Sequence, residues 1–315
     1  MDDIQRIYQP ILKEKEKVEL ILQEQLKDVP PELSAPASSI LFSNGKRLRP
    51  VLLLNVAKML GKVKKQACYL AAALELIHTA SLIHDDIIDE ADLRRGVPSI
   101  NSKWGNKIAV LVGDLLVAKA ARLALKWGDK NILALVAGVI EKMSRGEALE
   151  LALRGRDNIG EKDYLKIIDL KTASLFAAAA RIGAILGGAN QEQEKNLYRF
   201  GRYLGLAFQI TDDILNIISD EQVMGKPTKT DFKKGNLTLP YILSSREGKS
   251  QGIMPSYPSM EITDETVYQT IGVDKARQKA EKYIANAKKC LENFPPSPAK
   301  EAVLLMSDFI LIRRK

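Results

Sequence analysis

Residues 78–95 read HTASLIHDDIIDEADLRR, the most informative segment of the chain. Its apolar spacing predicts the end of a long helix that runs into a basic loop. Asp85 and Asp89 are four residues apart, so on a helix they share one face, about 6 Å apart along the axis. Like charges at this spacing repel one another unless a hard cation such as Mg²⁺, which takes oxygen ligands, lies between them. The pattern therefore predicts a metal-binding pair of carboxylates.

A solvated acidic helix end followed by an ordinary arginine pair would give a similar pattern. The apolar neighbours Leu76, Ile83 and Ile87 argue against it, because they indicate a largely buried helix. Carboxylates on a buried helix face a specific partner and are candidates for function. Arg94 and Arg95 follow directly, and arginine suits anionic oxygens better than lysine does.

A second acidic motif, QITDDILN, occupies residues 209–216 within a predicted apolar helix. Gln209, Asp212 and Asn216 recur at helical spacing, and Asp213 lies next to them on the same face. One such motif is a weak signal, but two on separate buried helices are harder to dismiss. Opposed across a helical bundle, the two motifs could hold several Mg²⁺ ions.

A cluster of cations, Lys46, Arg47 and Arg49, lies in the stretch SNGKRLRP at residues 43–50, just before an apolar helix. Cations there are unfavourable to the helix dipole unless an anion lies between them. A solvated basic turn is the alternative reading. Beside an acidic metal site, a diphosphate pocket is the better interpretation.

Helical spacing of apolar residues predicts an all-α fold, with residues 1–315 forming a single-domain bundle that includes an amphipathic helix within residues 1–30. We find no strand alternation, Gly-rich nucleotide motif or internal repeat. Pro30, Pro31 and Pro36 are expected to break the first helix, and residues 247–264 to form a loop. The predicted helices span residues 4–28, 51–60, 63–90, 106–126, 131–155, 161–188, 192–219, 271–294 and 298–313.

The composition excludes several classes of protein. The net charge is +8, but the cations are spread along the chain, so a nucleic-acid-binding protein is not favoured. Cys68 and Cys290 lie in no CxxC pattern, which argues against a disulfide framework or a zinc site. The N-terminus has no apolar signal region, and no uncharged apolar run reaches the ~18 residues of a membrane span. We therefore expect a cytoplasmic protein.

Three further features bear on the site. Lys171 lies between apolar stretches of a predicted helix, either snorkelling to solvent or directed into a polar cavity. Glu147 and Glu150 are expected to be structural or surface residues rather than catalytic ones. Residues 224–240 are rich in Gly, Pro and Lys, a composition that suits either a mobile surface loop or a lid over a phosphate site.

Together these features suit an apolar molecule that carries a diphosphate, and metal ions would draw off that diphosphate as a leaving group. On this basis the sequence resembles the trans-isoprenyl diphosphate synthases, head-to-tail polyprenyl transferases of the isoprenoid synthase fold. The resemblance covers nearly the whole chain. The motifs that carry it, in family order and spacing, are GKRLRP, LIHDDIIDEADLRRGVPS, GD at 113–114, KTASLF, QITDDILN and the GKP to GNLTLP stretch.

The resemblance implies a role for each matching residue. Mg²⁺ would be held by Asp85, Asp89 and Asp212, which with Lys171 form the catalytic set. Isopentenyl diphosphate would be bound by Lys46, Arg49, His78 and Arg95. The allylic diphosphate, farnesyl or geranylgeranyl, would be bound by Arg94, Lys171, Thr172, Gln209 and Lys226. Isopentenyl diphosphate would attack the allylic cation, and the released pyrophosphate would take the proton.

The sequence departs from the family pattern at three positions. Asn216 stands where an Asp is usual; its carbonyl oxygen can still bind a metal, with less charge. Asn236 stands where many members have a cation, and Glu150 where Gln is common. The first two bear on the affinity for metal and allylic diphosphate.

We infer the length of the product from the side chains four and five positions before Asp85, which are those of Ser81 and Ala80. These small side chains, with the alanines of helix 106–126, leave the cavity open, and each isoprene unit needs about one helix turn, ~5 Å. We expect a hexaprenyl to octaprenyl product for a quinone side chain.

The resemblance also implies a homodimer, and we expect transient membrane contact when product is released. A terpene cyclase of the same fold and an accessory subunit of a heteromeric transferase are the alternatives. A cyclase would not need Lys46, Arg49 and Arg95. An accessory subunit would be expected to lose metal ligands, and this chain keeps both acidic motifs.

Overall fold

The computed structural model describes residues 3–43, 45–94, 96–156, 159–218, 238–250 and 265–312. Nearly all of this part of the chain is helical, so the predicted all-α class is confirmed. The helices are α1 (Asp3–Tyr8), α2 (Leu12–Glu24), α3 (Pro31–Leu41), α4 (Leu48–Leu60), α5 (Lys65–Ile88), α6 (Ile100–Trp104), α7 (Asn106–Trp127), α8 (Lys130–Leu153), α9 (Glu161–Ile168), α10 (Ser174–Gly187), α11 (Gln191–Ile218), α12 (Leu239–Ser250), α13 (Glu265–Lys289) and α14 (Pro298–Ile312).

The N-terminal region differs from the prediction of one helix over residues 4–28. A 3₁₀ turn, Gln9–Ile11, separates α1 from α2, because Pro10 has no backbone N–H to donate to a continuous helix. The expected break before Pro31 is present, since α2 ends at Glu24, but it is shorter than expected, because α3 begins at Pro31 and contains Pro36. Proline is tolerated at the first helical position, and burial of one face of α3 outweighs the bond lost at Pro36.

Two short strands, β1 (Leu93–Arg94) and β2 (Val97–Pro98), pair antiparallel after α5. Two residues are too few to show alternation, so the sequence analysis missed this hairpin. The loop expected over residues 247–264 is wrong at its start, because α12 continues to Ser250. The helix predicted over residues 161–188 contains a π-helical turn at Asp169–Ala173, and the remaining predicted helices agree with the observed ones apart from their ends.

The core is built around α4, α5, α10 and α11. Most residues of α4 are buried, α5 packs against α7, and α10 packs against both α4 and α11. Two glycines bring α11 close to its neighbour. A Cβ atom at Gly201 would lie 2.4 Å from the carbonyl oxygen of Phe176, and one at Gly205 would lie 2.6 Å from the Cα atom of Ala173. The second acidic motif is therefore carried on a tightly packed helix.

Two helical stretches, Lys65–Ile88 and Glu161–Gly187, are long and apolar enough to cross a membrane by length and composition. In each stretch, 72% of the most apolar window is buried inside the structure. Core helices of soluble proteins have the same properties, so these stretches are weak grounds for a membrane span.

Candidate active site

A cavity of about 1560 Å³ lies between the helices that carry the two acidic motifs. It is larger than the roughly 300–1,000 Å³ of most small-molecule pockets. Every predicted site residue that the structure describes borders it: Lys46, Arg49, His78, Asp85, Asp89, Arg94, Lys171, Thr172, Gln209 and Asp212. Residues far apart in sequence thus meet in one chamber. The predicted residues Arg95 and Lys226, together with Asn236, lie outside the described residues, as does most of the 224–240 stretch.

The first acidic motif lies at the C-terminal end of α5, and Asp85 and Asp89 both border the cavity as their spacing predicts. Burial is the main cause that raises the pKa of the Asp85 carboxyl to about 7; Lys171 opposes this rise and Glu147 adds to it. Asp89 follows the last residue of α5, and its Oδ1 lies 2.9 Å from a guanidinium nitrogen of Arg154. Both carboxylates thus lie close to a cation of the protein.

Asp86 has a different environment from its neighbour Asp85. It is 1% exposed, and its carboxylate accepts hydrogen bonds from two nitrogens of Arg94, with Nε at 2.8 Å. The family resemblance implies that Arg94 binds the allylic diphosphate. The structure adds that Arg94 borders the cavity while it is held by Asp86, which links the hairpin to α5.

Lys171 is the cation of an acidic cluster. Its Nζ atom lies 2.5 Å from Oε2 of Glu147, 2.6 Å from Oε2 of Glu150 and 3.9 Å from Oδ2 of Asp85. Burial alone lowers the pKa of Lys171, but the carboxylates of Asp85 and Glu150 outweigh it and raise that pKa above its ordinary value. Of the two readings of Lys171, the polar cavity is therefore correct.

Glu147 and Glu150 were expected to be structural or surface residues. The surface alternative is wrong, because both border the cavity and Glu147 is 9% exposed. Their ion pairs with Lys171 are a structural role. Arg154 lies four residues after Glu150, on the same helix face. The four-residue spacing of Glu150 and Arg154, considered together with Lys171, is the pattern in the sequence that could have identified these residues as part of the site.

Lys171 and Thr172 are presented by a π-helical turn, Asp169–Ala173, between α9 and α10. Such turns inside α-helices frequently mark functional sites. The carboxylate of Asp169 accepts two hydrogen bonds from Arg202 of α11, at 2.6 and 3.0 Å. This two-pronged pair fixes the turn against the helix that carries the second acidic motif.

The second motif forms a chain of hydrogen bonds. Thr172 Oγ1 donates to Gln209 Oε1 at 2.8 Å, and Gln209 Nε2 donates to Asp213 Oδ1 at 2.9 Å. The hydroxyl of Tyr164, a residue that the sequence analysis missed, donates to Asp213 Oδ2 at 2.6 Å. One oxygen of Asp213 thus orients Gln209 and the other is held by Tyr164, while the half-buried Asp212 borders the cavity. Asn216, which replaces the usual Asp, also borders the cavity.

The basic residues at the start of α4 divide into two groups. Lys46 and Arg49 border the cavity, and the guanidinium carbon of Arg49 lies 4.6 Å from the ring centre of Phe176. Arg47 has all three side-chain nitrogens bonded to protein acceptors, among them the carboxylate of Glu75. Arg47 borders the cavity as well, but unlike the other two its guanidinium is engaged by acceptors of the protein itself.

Of the small residues expected to line the cavity beyond the acidic motifs, only some do so. Ala80 and Ser81 both border the cavity. The alanines of helix 106–126 do not line it: Val117 is the residue of α7 that borders the cavity, whereas Ala118 and Ala121 are exposed. Larger side chains of other helices also face the cavity, namely Ile77, Ile140 and Met143.

Within the described part of the chain, no three His, Cys, Asp or Glu side chains are gathered into a ready-made metal site. The donors are spread around the cavity and lie close to Lys171, Arg94 and Arg154. Their chemistry nevertheless fits a hard divalent cation, because Asp85, Asp89 and Asp212 supply only carboxylate oxygens to one chamber.

Comparison with known proteins agrees with this geometry. The polyprenyl synthetase family model matches residues 30–272. The chain is 35% identical over 305 residues to a short chain isoprenyl diphosphate synthase of Methanothermobacter thermautotrophicus, covering 93% of this chain and 94% of that protein. It is 36% identical over 275 residues to heptaprenyl diphosphate synthase component 2 of Geobacillus stearothermophilus, covering 85% and 86%.

Among solved structures, the polyprenyl synthase of Caulobacter crescentus complexed with calcium and isoprenyl diphosphate superimposes with a TM-score of 0.91. The two sequences are 30% identical, and the match covers 99% of this chain and 98% of that one. The isoprenoid synthase fold expected from the sequence is confirmed. The chain belongs to the polyprenyl synthetase family and is a prenyltransferase.

Proposed function

We propose that this prenyltransferase adds isopentenyl diphosphate head to tail to an allylic diphosphate, farnesyl or geranylgeranyl, and so makes a long-chain all-trans polyprenyl diphosphate. The observation that carries the proposal is the shared cavity. It is bordered by both acidic motifs, by Lys46 and Arg49, and by Lys171. A chamber lined in this way would have room for two anionic substrates, with the cations at one end and the carboxylates at the other.

We propose Mg²⁺ as the cofactor, held by Asp85, Asp89 and Asp212. When bound, Mg²⁺ would neutralise the diphosphate oxygens and make pyrophosphate a better leaving group. The raised pKa of Asp85, caused first by burial, reflects the cost of a buried negative charge, and a divalent cation would reduce that cost. The solved relative complexed with calcium and isoprenyl diphosphate supports a divalent metal.

The residues of this chain would bind, orient and shield the substrates. Arg49 is 8% exposed and lies over Phe176 and Phe208, so a diphosphate bound there would meet a cation largely removed from water. We assign isopentenyl diphosphate to this end, with Lys46 and His78. Lys171, Thr172, Gln209 and Arg94 would hold the allylic diphosphate at the other motif.

We propose a hexaprenyl to octaprenyl product that serves as a quinone side chain. Support comes from Ala80 and Ser81, which border the cavity without closing it. The relatives include a short chain synthase and a heptaprenyl diphosphate synthase component, so family membership alone leaves the length open. From Asp85 back to Ile77 the cavity follows α5 for about 12 Å, the length of two to three isoprene units, so a hexaprenyl to octaprenyl chain would have to continue past Ile77.

We further propose a single-domain homodimer in the cytoplasm, with transient membrane contact when product leaves. Val110, Leu111 and Leu125 of α7 are 43%, 52% and 70% exposed and are candidates for the dimer surface. Light scattering should give twice the chain mass of 34.9 kDa. Both cysteines are free, which suits a reducing compartment.

Two other enzyme-related readings remain less favoured. A terpene cyclase would have no use for the basic end at Lys46 and Arg49. An accessory subunit would not need acidic residues of both motifs at one cavity, although the Geobacillus relative is named as one component of a synthase. A nucleic-acid-binding protein would need a clustered basic face.

A thermal melt separates these classes. We expect a bisphosphonate to raise the melting temperature only when Mg²⁺ is present, because diphosphate-like oxygens would bridge the metal and the cations. Protection by DNA or RNA instead would favour nucleic-acid binding. Incorporation of labelled isopentenyl diphosphate then separates the transferase from a cyclase, which would release products from the allylic substrate alone.

A further inference from the structure

Arg47 is the centre of a buried network at the basic end of the cavity. Its Nε donates to Oε1 of Glu19 at 3.0 Å, and its NH1 donates to Oε1 of Glu75 at 2.9 Å. Its NH2 donates to Oε2 of Glu19 at 3.3 Å and to the carbonyl oxygen of Leu41 at 2.5 Å. The residue is 7% exposed. Its charge is thus balanced by two carboxylates from the protein.

The backbone at Arg47 is in an unusual conformation. Its φ angle of 49° lies in the left-handed region, which is unfavourable for a residue with a side chain. This conformation occurs directly before α4, between Lys46 and Arg49, and all three residues border the cavity. Strained residues persist only where the surroundings hold them, and here four hydrogen bonds do so.

The network joins the elements that form this end of the site. Glu19 belongs to α2, Leu41 ends α3, and Glu75 lies three residues before His78 on α5. The adjacent backbone is also tied down, because the hydroxyl of Tyr8 donates to the carbonyl oxygen of Lys46 at 2.8 Å. The positions of Lys46 and Arg49 therefore depend on how Arg47 is held.

We propose that Arg47 is a positioning residue for isopentenyl diphosphate: it holds the start of α4 so that Lys46 and Arg49 face the cavity, and it does not itself bind the diphosphate. This inference rests on the proposed function, which assigns that substrate to this end of the cavity.

Replacement of Glu19 separates positioning from direct binding. Glu19→Gln keeps the charge of Arg47 but weakens two of its hydrogen bonds, and Glu19 does not line the cavity. If Arg47 positions its neighbours, Glu19→Gln must weaken isopentenyl diphosphate binding. If Arg47 binds the diphosphate directly, removing a competing carboxylate must leave that binding unchanged or strengthen it.

The experiment compares Arg47→Lys and Glu19→Gln with the unmodified full chain. Arg181→Lys is the matched control, since Arg181 forms an Arg–Glu pair with Glu194 outside the cavity. Calorimetry measures the Kd of isopentenyl diphosphate without allylic substrate. Steady-state kinetics then gives KM for each substrate and kcat, and thermal melts check folding.

We expect both variants to raise the Kd and KM of isopentenyl diphosphate about tenfold, equivalent to ~1.4 kcal/mol, with KM for farnesyl diphosphate within about twofold. Arg181→Lys should change neither. The positioning role would be overturned if Arg47→Lys weakened isopentenyl diphosphate binding while Glu19→Gln left it unchanged or tightened it. It would also be overturned if KM rose equally for isopentenyl diphosphate and farnesyl diphosphate. If the unmodified chain binds isopentenyl diphosphate but does not condense it, the proposed function fails while the calorimetric comparison still tests Arg47.

Discussion

The ammonium nitrogen of Lys171 lies 3.9 Å from Oδ2 of Asp85, so a cation on the π-helical turn and a carboxylate of the first acidic motif share one cluster. Glu147 and Glu150 complete this cluster at 2.5 and 2.6 Å from the same nitrogen. The one charge of Lys171 is thus shared among three carboxylates. The imbalance means that added positive charge, from a metal ion, should be favourable here.

Removal of the Lys171 charge should make the fold more dependent on divalent metal. Lys171→Met leaves three carboxylates near one another, and we expect a loss of roughly 1–3 kcal/mol of stability in EDTA. Mg²⁺ should raise the melting temperature of this variant by more than it raises that of the unmodified chain. Lys166→Met, at an exposed position, is the control. Equal Mg²⁺ shifts in all three proteins would contradict a shared metal site.

The neighbours Asp85 and Asp86 should have opposite phenotypes. Asp85→Asn should reduce condensation about 10²-fold or more while the protein stays folded, because it removes a proposed metal ligand and a carboxylate charge at the cavity. Asp86→Asn should cost about 3 kcal/mol of stability, because it breaks a buried pair with Arg94. Activity and denaturant melts check both. If Asp86→Asn were stable but inactive and Asp85→Asn were active, the functional role would belong to Asp86 and not to Asp85.

Two glycines of α8 form a matched test of packing against the π-helical turn. A Cβ atom at Gly146 would lie 2.7 Å from the backbone nitrogen of Lys171, whereas one at Gly138 would meet nothing within 4 Å. We expect Gly146→Ala to destabilise the protein and reduce kcat. Gly138→Ala should stabilise it by about 0.5–1 kcal/mol, because alanine favours the helix. Thermal melts and kinetics of the two variants test this. Equal changes in melting temperature and kcat would mean that the close approach of Gly146 to Lys171 is unimportant.

Product length should respond to side chains before Asp85. Ala80→Phe or Ser81→Phe would place a ring in the cavity that both residues border, so the product should become shorter. Chromatography of dephosphorylated products measures the change. Ser39→Phe, which does not border the cavity, is the control. An unchanged product from both cavity variants would contradict the proposed route of the growing chain.

The sequence predicted the site residues better than their partners. Spacing along single helices was enough to place Asp85, Asp89 and Gln209 on inward faces, because helical periodicity is a local property. The hydrogen bond of Tyr164 to Asp213 and the pairing of Arg154 with Asp89 join residues distant in sequence. Such contacts depend on tertiary packing, which periodicity does not encode.

The errors in the fold have the same origin. Pro36 was expected to break a helix, but tertiary burial of α3 outweighs the local preference. The alanines of α7 were expected to face the cavity, but the packing direction of that helix exposes Ala118 and presents Val117 instead. Arg47 could not be told from Lys46 and Arg49 by composition, since only the structure shows its carboxylate partners.

The most direct test is to incubate the pure protein with farnesyl diphosphate, labelled isopentenyl diphosphate and Mg²⁺, and to separate the dephosphorylated products by chromatography. We predict a ladder of prenols that ends at one length between hexaprenyl and octaprenyl and disappears with EDTA. The absence of label in any prenol, with folded protein and Mg²⁺ present, would contradict head-to-tail condensation by this chain alone.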